Sequence, residues 1–224
     1  MSFDLALDAF DLRDDGLSAD FIRLGHGQNM TIRLEEGLVR AGVISAAERL
    51  TTFVDVTAWH QGGAETFVGD SYLSTDRGGS HHIIGKALFS FGSTPERMLG
   101  SWLGRRETLR RVGVRVPILY SAFAGTLYEE YVEAELFEHF FCSDALAVDV
   151  ARTAALIDWA GFESLAFLDD LRTQEERAYY VDFGFDLGDP TGVPNKRARS
   201  NMEKKLCEPF RSTCLKHYDS CLFS

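Results

Sequence analysis

The chain has 224 residues, of which 45% are hydrophobic and 25% charged, and its formal net charge is −11. This length can form one large domain or two small lobes, and the composition is typical of a soluble globular protein. The acidic charge argues against nucleic acid or an anionic membrane as the main partner. No apolar run approaches the ~20 residues that span a bilayer, and the start of the chain lacks a leader pattern, so a cytoplasmic protein is expected. Delivery to another cell stays open.

The four cysteines do not predict a zinc site, because none of them forms a Cys-x-x-Cys pair. Cys207, Cys214 and Cys221 recur every seven residues. This is the spacing of one helix face, which favours a packing role.

The first half of the chain predicts a helical extension followed by a sheet. Residues 1–50 are expected to be helical and loop-like, with apolar positions at roughly helical spacing that are interrupted at Gly37 and Gly42. From residue 51, three β-rich segments separated by glycine-containing turns predict an antiparallel meander. Lys86 lies in the most apolar of these strands. A lysine there either meets an anion or points to solvent, since an unpaired buried ammonium is costly.

A helix and two further strands follow the meander. Ser93 or Thr94 can cap the helix, Pro95 suits its first turn, and Gly113 ends it. Residues 114–120 are expected to form an edge strand because they contain a proline, and 126–132 form the next strand.

The second half predicts mainly helices. A capped helix over 145–159 is followed by a short strand at 164–168, a charged turn, and a strand that returns at 179–183. After a linker at 189–194, the basic segment 196–205 leads into a last amphipathic helix. This segment is either a docking surface or a solvated helix face.

The strand at 179–183 ends in Asp182-Phe183-Gly184. A carboxylate at a strand end suits Mg²⁺, which takes one or two carboxylates and completes its shell with phosphate oxygens and water. The alternative is an ordinary strand followed by a glycine turn.

The order of these elements resembles the protein-kinase-like fold, in its aminoglycoside-phosphotransferase and small bacterial, effector-type kinase branch. The resemblance covers about residues 51–190. Its motifs are Arg106-Glu107-x-Leu109, Gly113-Val114-x-Val116-Pro117 and the segment 126–132. It implies a two-lobed α+β fold, with an antiparallel N-lobe sheet in 51–132 and a compact, mainly helical C-lobe in 133–224.

The resemblance also implies a set of site residues for ATP and Mg²⁺. Lys86 would hold nucleotide phosphates and pair with Glu107, with Glu96 as the alternative partner. Asp182 would bind Mg²⁺. The segment resembling the family's hinge would bind adenine through Glu130, Tyr131 and Val132.

Two departures from the family's pattern leave alternatives open. The usual His-Gly-Asp or His-Arg-Asp loop with its metal-binding Asn is absent. Asp170, with Glu175 five residues later as a metal ligand, and Asp158, near the end of the long helix, are both candidates for the catalytic base. Gly62 and Gly63 lie where a phosphate loop is expected, but the full glycine pattern is missing.

The leading functional expectation is an ATP-dependent phosphotransferase that acts on a hydroxyl. Few residues follow Gly188 to enclose a small acceptor, which favours a protein acceptor. The alternatives are a pseudokinase that works as a nucleotide- or protein-binding module, and an unrelated α+β binding protein.

Overall fold

The structure is a computed structural model, and it describes residues 27–51, 60–61, 65–88, 94–123, 125–136 and 142–221. Gly62, Gly63 and the predicted first strand at 52–59 lie outside these ranges. None of the helices in the described part of the chain is long and apolar enough to span a membrane. The chain divides into two compact units, residues 1–101 with 118–131, and residues 102–117 with 132–224.

The first unit contains a five-stranded antiparallel sheet with the strand order β1-β2-β3-β5-β4. Its strands are β1 (His60–Gln61), β2 (Thr66–Ser74), β3 (Ser80–Leu88), β4 (Leu119–Phe123) and β5 (Thr126–Glu130). Of the expected antiparallel meander, the pairing of its second and third strands is confirmed by the β2–β3 hairpin. The edge strand begins later than predicted, at Leu119, so that Pro117, which has no N–H to donate, precedes it.

Helix α1 (Gly27–Arg40) packs on this sheet. The buried core of the unit comprises Leu34, Leu38, Ile44, Leu73, Ile83, Tyr120 and Tyr128. The predicted interruption at Gly37 is wrong, because α1 continues through it. A Cβ at Gly37 would lie 1.7 Å from the Tyr120 carbonyl oxygen, so the glycine is what lets the helix approach β4 this closely.

Helix α2 (Pro95–Val112) follows β3, and its residues from 102 onward belong to the second unit. Within the described residues, that unit also contains a three-stranded antiparallel sheet in the order β6-β7-β8 and three further helices. Their bounds are β6 (Ala134–Glu135), α3 (Asp144–Ala160), β7 (Leu171–Gln174), β8 (Arg177–Tyr180), α4 (Arg197–Lys205) and α5 (Phe210–Cys221). The predicted α+β class is therefore confirmed.

The start and end of α3 follow from its sequence. Ser143 Oγ accepts a hydrogen bond from Leu146 N (3.1 Å), and Gly161 ends the helix in the left-handed conformation at φ +81°. The strand predicted at 164–168 is wrong, because this segment forms turns. Backbone hydrogen bonds instead join this segment to the residues that follow Asp182, since Leu165 N donates to Asp186 O (2.8 Å).

Candidate functional site

Lys86 is buried in the first unit and meets an anion. It lies on β3, and its Nζ forms an ion pair with the Glu129 carboxylate, the two side chains being 8% and 2% exposed. The register pairs Lys86 with Leu127 and Ile84 with Glu129, so Glu129 is the diagonal neighbour of Lys86 on one face of the sheet. The sequence left two alternatives for Lys86, an anionic partner or a position pointing to solvent. The ion pair with Glu129 confirms the first, so the second is wrong.

The carboxylate beside Lys86 is not the predicted one. Glu107 accepts hydrogen bonds from Arg110 Nε (2.8 Å) and Arg111 Nε (3.0 Å), which follow it by three and four residues on α2. These bonds lower the pKa of Glu107 to about 2. The expected pairing of Lys86 with Glu107 is therefore corrected to Glu129. The side chain of Glu96 lies outside the described part.

The predicted hinge residues lie at the end of β5. Glu130 accepts a hydrogen bond from Ile118 N through its carboxylate (3.0 Å), and the Tyr131 ring stacks on His82 at 3.6 Å between centroids. Val132 is buried. Adenine contacts by these residues stay a prediction.

Asp170 and Asp182 are brought together in the second unit by the β7–β8 hairpin. Leu171 pairs with Tyr180, so the residues that flank this pair, Asp170 and Val181, are neighbours, and Val181 N donates to Asp170 O (3.0 Å). Asp182 follows directly, partly exposed, and its Oδ1 accepts a hydrogen bond from Gly184 N (2.8 Å). The hairpin therefore brings the backbones of Asp170 and Asp182 together at its open end, and the negative charge of Asp182 acts on the Asp170 carboxyl.

Asp170 is the more unusual of the two carboxylates. It is only 9% exposed, and its Oδ2 accepts a hydrogen bond from the buried Tyr180 hydroxyl (2.8 Å), which also contacts Ser164 Oγ (3.3 Å). Burial, followed by the negative charge of Asp182, raises the pKa of Asp170 to about 8, although the Tyr180 hydrogen bond opposes this. A cation at this position would relieve both effects.

The two carboxylates fit Mg²⁺ better than they fit a metal held by protein ligands alone. No group of three or more His, Cys, Asp or Glu side chains in the described ranges is arranged to hold a metal ion. Mg²⁺ is commonly bound by one or two carboxylates, and substrate phosphates and water complete its shell. Asp182, with Asp170 beside it, provides this donor set.

Asp158, the other candidate for the base, is a structural residue. It is 0% exposed, and its carboxylate accepts hydrogen bonds from Ala198 N (2.9 Å), Arg199 N (3.1 Å) and the Tyr218 hydroxyl (2.8 Å). It thus joins α3 to the start of α4 and to α5. Its prediction as a base is wrong, because both oxygens are engaged away from solvent.

Glu175 does not lie near Asp182. It is exposed and occupies the tight turn between β7 and β8 at φ +50°. The turn is at the opposite end of the hairpin from Asp170 and Val181, roughly four strand residues or about 13 Å away. Its prediction as a metal ligand beside Asp182 is therefore wrong.

Sequence reasoning missed three residues that shape these sites. An acid at Glu129, inside an otherwise apolar strand, was a usable signal for the Lys86 partner. Tyr180 and Arg105 carried no such signal. The Tyr180 hydroxyl meets Asp170 only when the hairpin has formed, and Arg105 donates hydrogen bonds to residues 183, 184 and 189, far along the chain.

The basic segment 196–205 is partly neutralised. Arg199 pairs with Asp219 (3.1 Å) and Glu203 (3.3 Å), and Lys205 pairs with Asp169.

Comparison with known proteins gives a distant likeness. No family model matches the chain, and no curated protein matches it. Among solved structures, the chain is similar to the apoenzyme of the macrolide 2'-phosphotransferase MphH from Brachybacterium faecium, with 11% sequence identity and a TM-score of 0.46. The match covers 83% of this chain and 82% of that one.

Proposed function

We propose that this chain is a kinase-like phosphotransferase that transfers the γ-phosphate of ATP to a hydroxyl. The observation that carries the proposal is the pair of acids, Asp170 and Asp182, whose backbones meet at the open end of the β7–β8 hairpin and whose charges interact. Two acids in this position repel each other unless a cation lies between them. Phosphoryl transfer is the chemistry in which such a cation is shared with phosphate oxygens.

Each residue has a role that suits its surroundings. Mg²⁺, when bound, would neutralise the charge of the phosphates. Asp182 is its proposed ligand because its carboxylate is partly exposed and is oriented by Gly184 N. Asp170 is the proposed base. Without a cation its pKa of about 8 keeps it mostly protonated at pH 7, and a cation held by Asp182 would lower that pKa and free the carboxylate to take a proton.

The transfer step follows from these roles. The acceptor oxygen forms a bond to the γ-phosphorus, the bond from the γ-phosphorus to the bridging oxygen breaks, and ADP leaves with that bond's electron pair. The hydroxyl proton goes to the Asp170 carboxylate. Lys86 supplies positive charge to the phosphates, while Glu130, Tyr131 and Val132 are proposed for adenine and Gly62 and Gly63 for the phosphate loop. A protein is the proposed class of acceptor.

A second candidate is a nucleotide-binding module that does not catalyse transfer. The absence of the usual His-Gly-Asp or His-Arg-Asp loop favours it, and so does the position of Glu175, the predicted second metal ligand, in the far turn of the hairpin. The two candidates agree on nucleotide binding and differ only in turnover.

ADP formation from ATP and Mg²⁺, with water as the simplest acceptor, tests both candidates. The parent is expected to form ADP slowly, and Asp182→Asn and Asp170→Asn are each expected to lower the rate by ~10²–10³. Asp144→Asn, an exposed acid in the first turn of α3, is the matched control and keeps the parent rate. Nucleotide binding without ADP formation supports the binding module, and no nucleotide binding overturns both.

A further inference from the structure

Arg105 in α2 is a buried cation that contacts the turn formed by residues 182–184, called here the Asp182 turn. The residue is 8% exposed. Its Nη1 donates to the backbone carbonyl oxygens of Phe183 (3.0 Å) and Gly184 (2.8 Å), and its Nε donates to Asp189 Oδ1 (2.8 Å). All of these residues belong to the second unit.

Burial of the Arg105 guanidinium costs free energy. The hydrogen bonds to the two carbonyl groups offset this cost more than the ion pair with Asp189 does. The side chain of Asp189 is 79% exposed, so water already solvates most of its charge and an ion pair with it contributes little. A guanidinium removed from water must have its donors satisfied. Here the satisfying groups are the carbonyls of the two residues that follow Asp182.

The same turn is fixed at three further points. Gly184 N donates to Asp182 Oδ1 (2.8 Å), so the residue whose carbonyl is held by Arg105 also orients the Asp182 carboxylate. The Phe183 ring packs edge-on against Trp102 of α2, at 5.6 Å between centroids, and against Tyr180 at 6.2 Å. Trp102 and Arg105 are three residues apart on α2 and so lie on one helix face.

We propose that Arg105 is a positioning residue that sets the direction of the Asp182 carboxylate toward a divalent cation. The inference rests on the proposed function, in which Asp182 is the ligand. The planar guanidinium places two carbonyl oxygens in a fixed geometry, which the single ammonium point charge of a lysine reproduces only in part. Removing Arg105 therefore leaves both carboxylates in place but lets the Asp182 turn change its orientation.

The test measures Mn²⁺ binding by paramagnetic relaxation of water, with and without ATP, on the parent and four variants. Arg105→Met is expected to weaken Mn²⁺ binding about tenfold, Arg105→Lys less, and Asp182→Asn to abolish it. Arg111→Met is the matched control, since Arg111 is a 75% exposed arginine on the same helix, and it keeps the parent affinity.

Backbone amide exchange at Gly184 gives a second readout that does not depend on the metal. Its exchange should accelerate at least tenfold in Arg105→Met and remain at the parent rate in Arg111→Met. Should Arg105→Met fail to fold, Arg105→Lys provides both readouts. If a folded Arg105 variant keeps the parent Mn²⁺ affinity and the parent exchange rate, Arg105 is structural only and the inference is overturned. If the parent binds no Mn²⁺, the proposed metal role of Asp182 fails, and the inference fails with it.

Discussion

Burial and the neighbouring charge of Asp182 both raise the pKa of Asp170. The free energy of unfolding should therefore depend on the pH at which Asp170 gains or loses its proton. Its pKa rises from 3.8 to about 8 on folding. Between these values the folded chain binds more protons than the unfolded chain, so this contribution is fully present below pH ~4 and is lost as the pH rises toward 8.

We expect the urea midpoint of the parent, in EDTA, to fall relative to that of Asp170→Asn between pH 5 and 8. Asn resembles the protonated acid and does not titrate. The slope should reach about 1 kcal/mol per pH unit. Asp144→Asn should follow the parent across this range. A constant difference between the parent and Asp170→Asn would contradict the raised pKa.

The Lys86–Glu129 pair predicts a different kind of stability change. Removing one member takes the opposite charge away from a buried ion pair, so Glu129→Leu alone should cost about 3–5 kcal/mol of unfolding free energy. The double variant Lys86→Met with Glu129→Leu should recover most of this loss, because no charge is then stranded. Urea denaturation of the two single variants and the double variant measures the coupling. Additive effects would show that the two side chains do not form a buried pair.

This pair also shows what a residue pattern can and cannot predict. A lysine in an apolar strand predicts an anionic partner, and that expectation is confirmed. The identity of the partner depends on the register between β3 and β5, which the strand sequences do not specify. Glu107 pairs instead on its own helix, because Arg110 and Arg111 lie within reach three and four residues later.

At the scale of elements, Asp158 joins three helices, and its substitution tests a structural role against a catalytic one. Asp158→Asn keeps the size but replaces one of the two acceptor oxygens by an NH₂ donor, so that either Ala198 N or Arg199 N faces another donor. We expect a loss of about 2–4 kcal/mol, because donors near the buried carboxylate are left unsatisfied. Tyr218→Phe, which removes one of the three bonds, should cost about 1 kcal/mol.

The measurement is chemical denaturation combined with nucleotide binding at a matched folded fraction. If Asp158 has a structural role, the Asp158→Asn variant is less stable than the parent, and its folded molecules bind ATP with unchanged affinity. An Asp158→Asn variant of parental stability with impaired ADP formation would instead restore Asp158 as a candidate base.

Elements with strong local signals were predicted well, and those that depend on distant contacts were not. Helix α3 was predicted with a cap at its start, and Ser143 caps it as expected. The segment 164–168 is apolar enough for a strand, yet its backbone groups are bonded to residues 186–187, more than twenty positions away. The β7–β8 hairpin, by contrast, is local, because Gln174 pairs with Arg177 across a two-residue turn.

At the scale of the whole molecule, the antiparallel sheet followed by a helical second part was predictable because hydrophobic periodicity and turn residues are local properties. The division into two units was less predictable from the sequence, since residues 102–117 belong to the second unit although they precede β4 and β5 in the chain.

The formal net charge of −11 also bears on how the chain binds a nucleotide. A strongly acidic chain attracts a polyanion such as ATP only where local cations reverse the field.

Nucleotide binding should therefore require Mg²⁺, and the melting temperature of the whole chain measures this. A ligand at about 100 times its dissociation constant stabilises the folded state by about 2.7 kcal/mol. For a chain of this size, that corresponds to an increase of about 5–10 °C. We expect this increase with ATP and Mg²⁺ together, and an increase of less than about 2 °C with ATP in EDTA. Asp182→Asn should show the small increase under both conditions, while Asp144→Asn should behave as the parent. An equal shift with and without Mg²⁺ would mean that the nucleotide is held without the carboxylate pair, and Asp170 and Asp182 would then need another explanation.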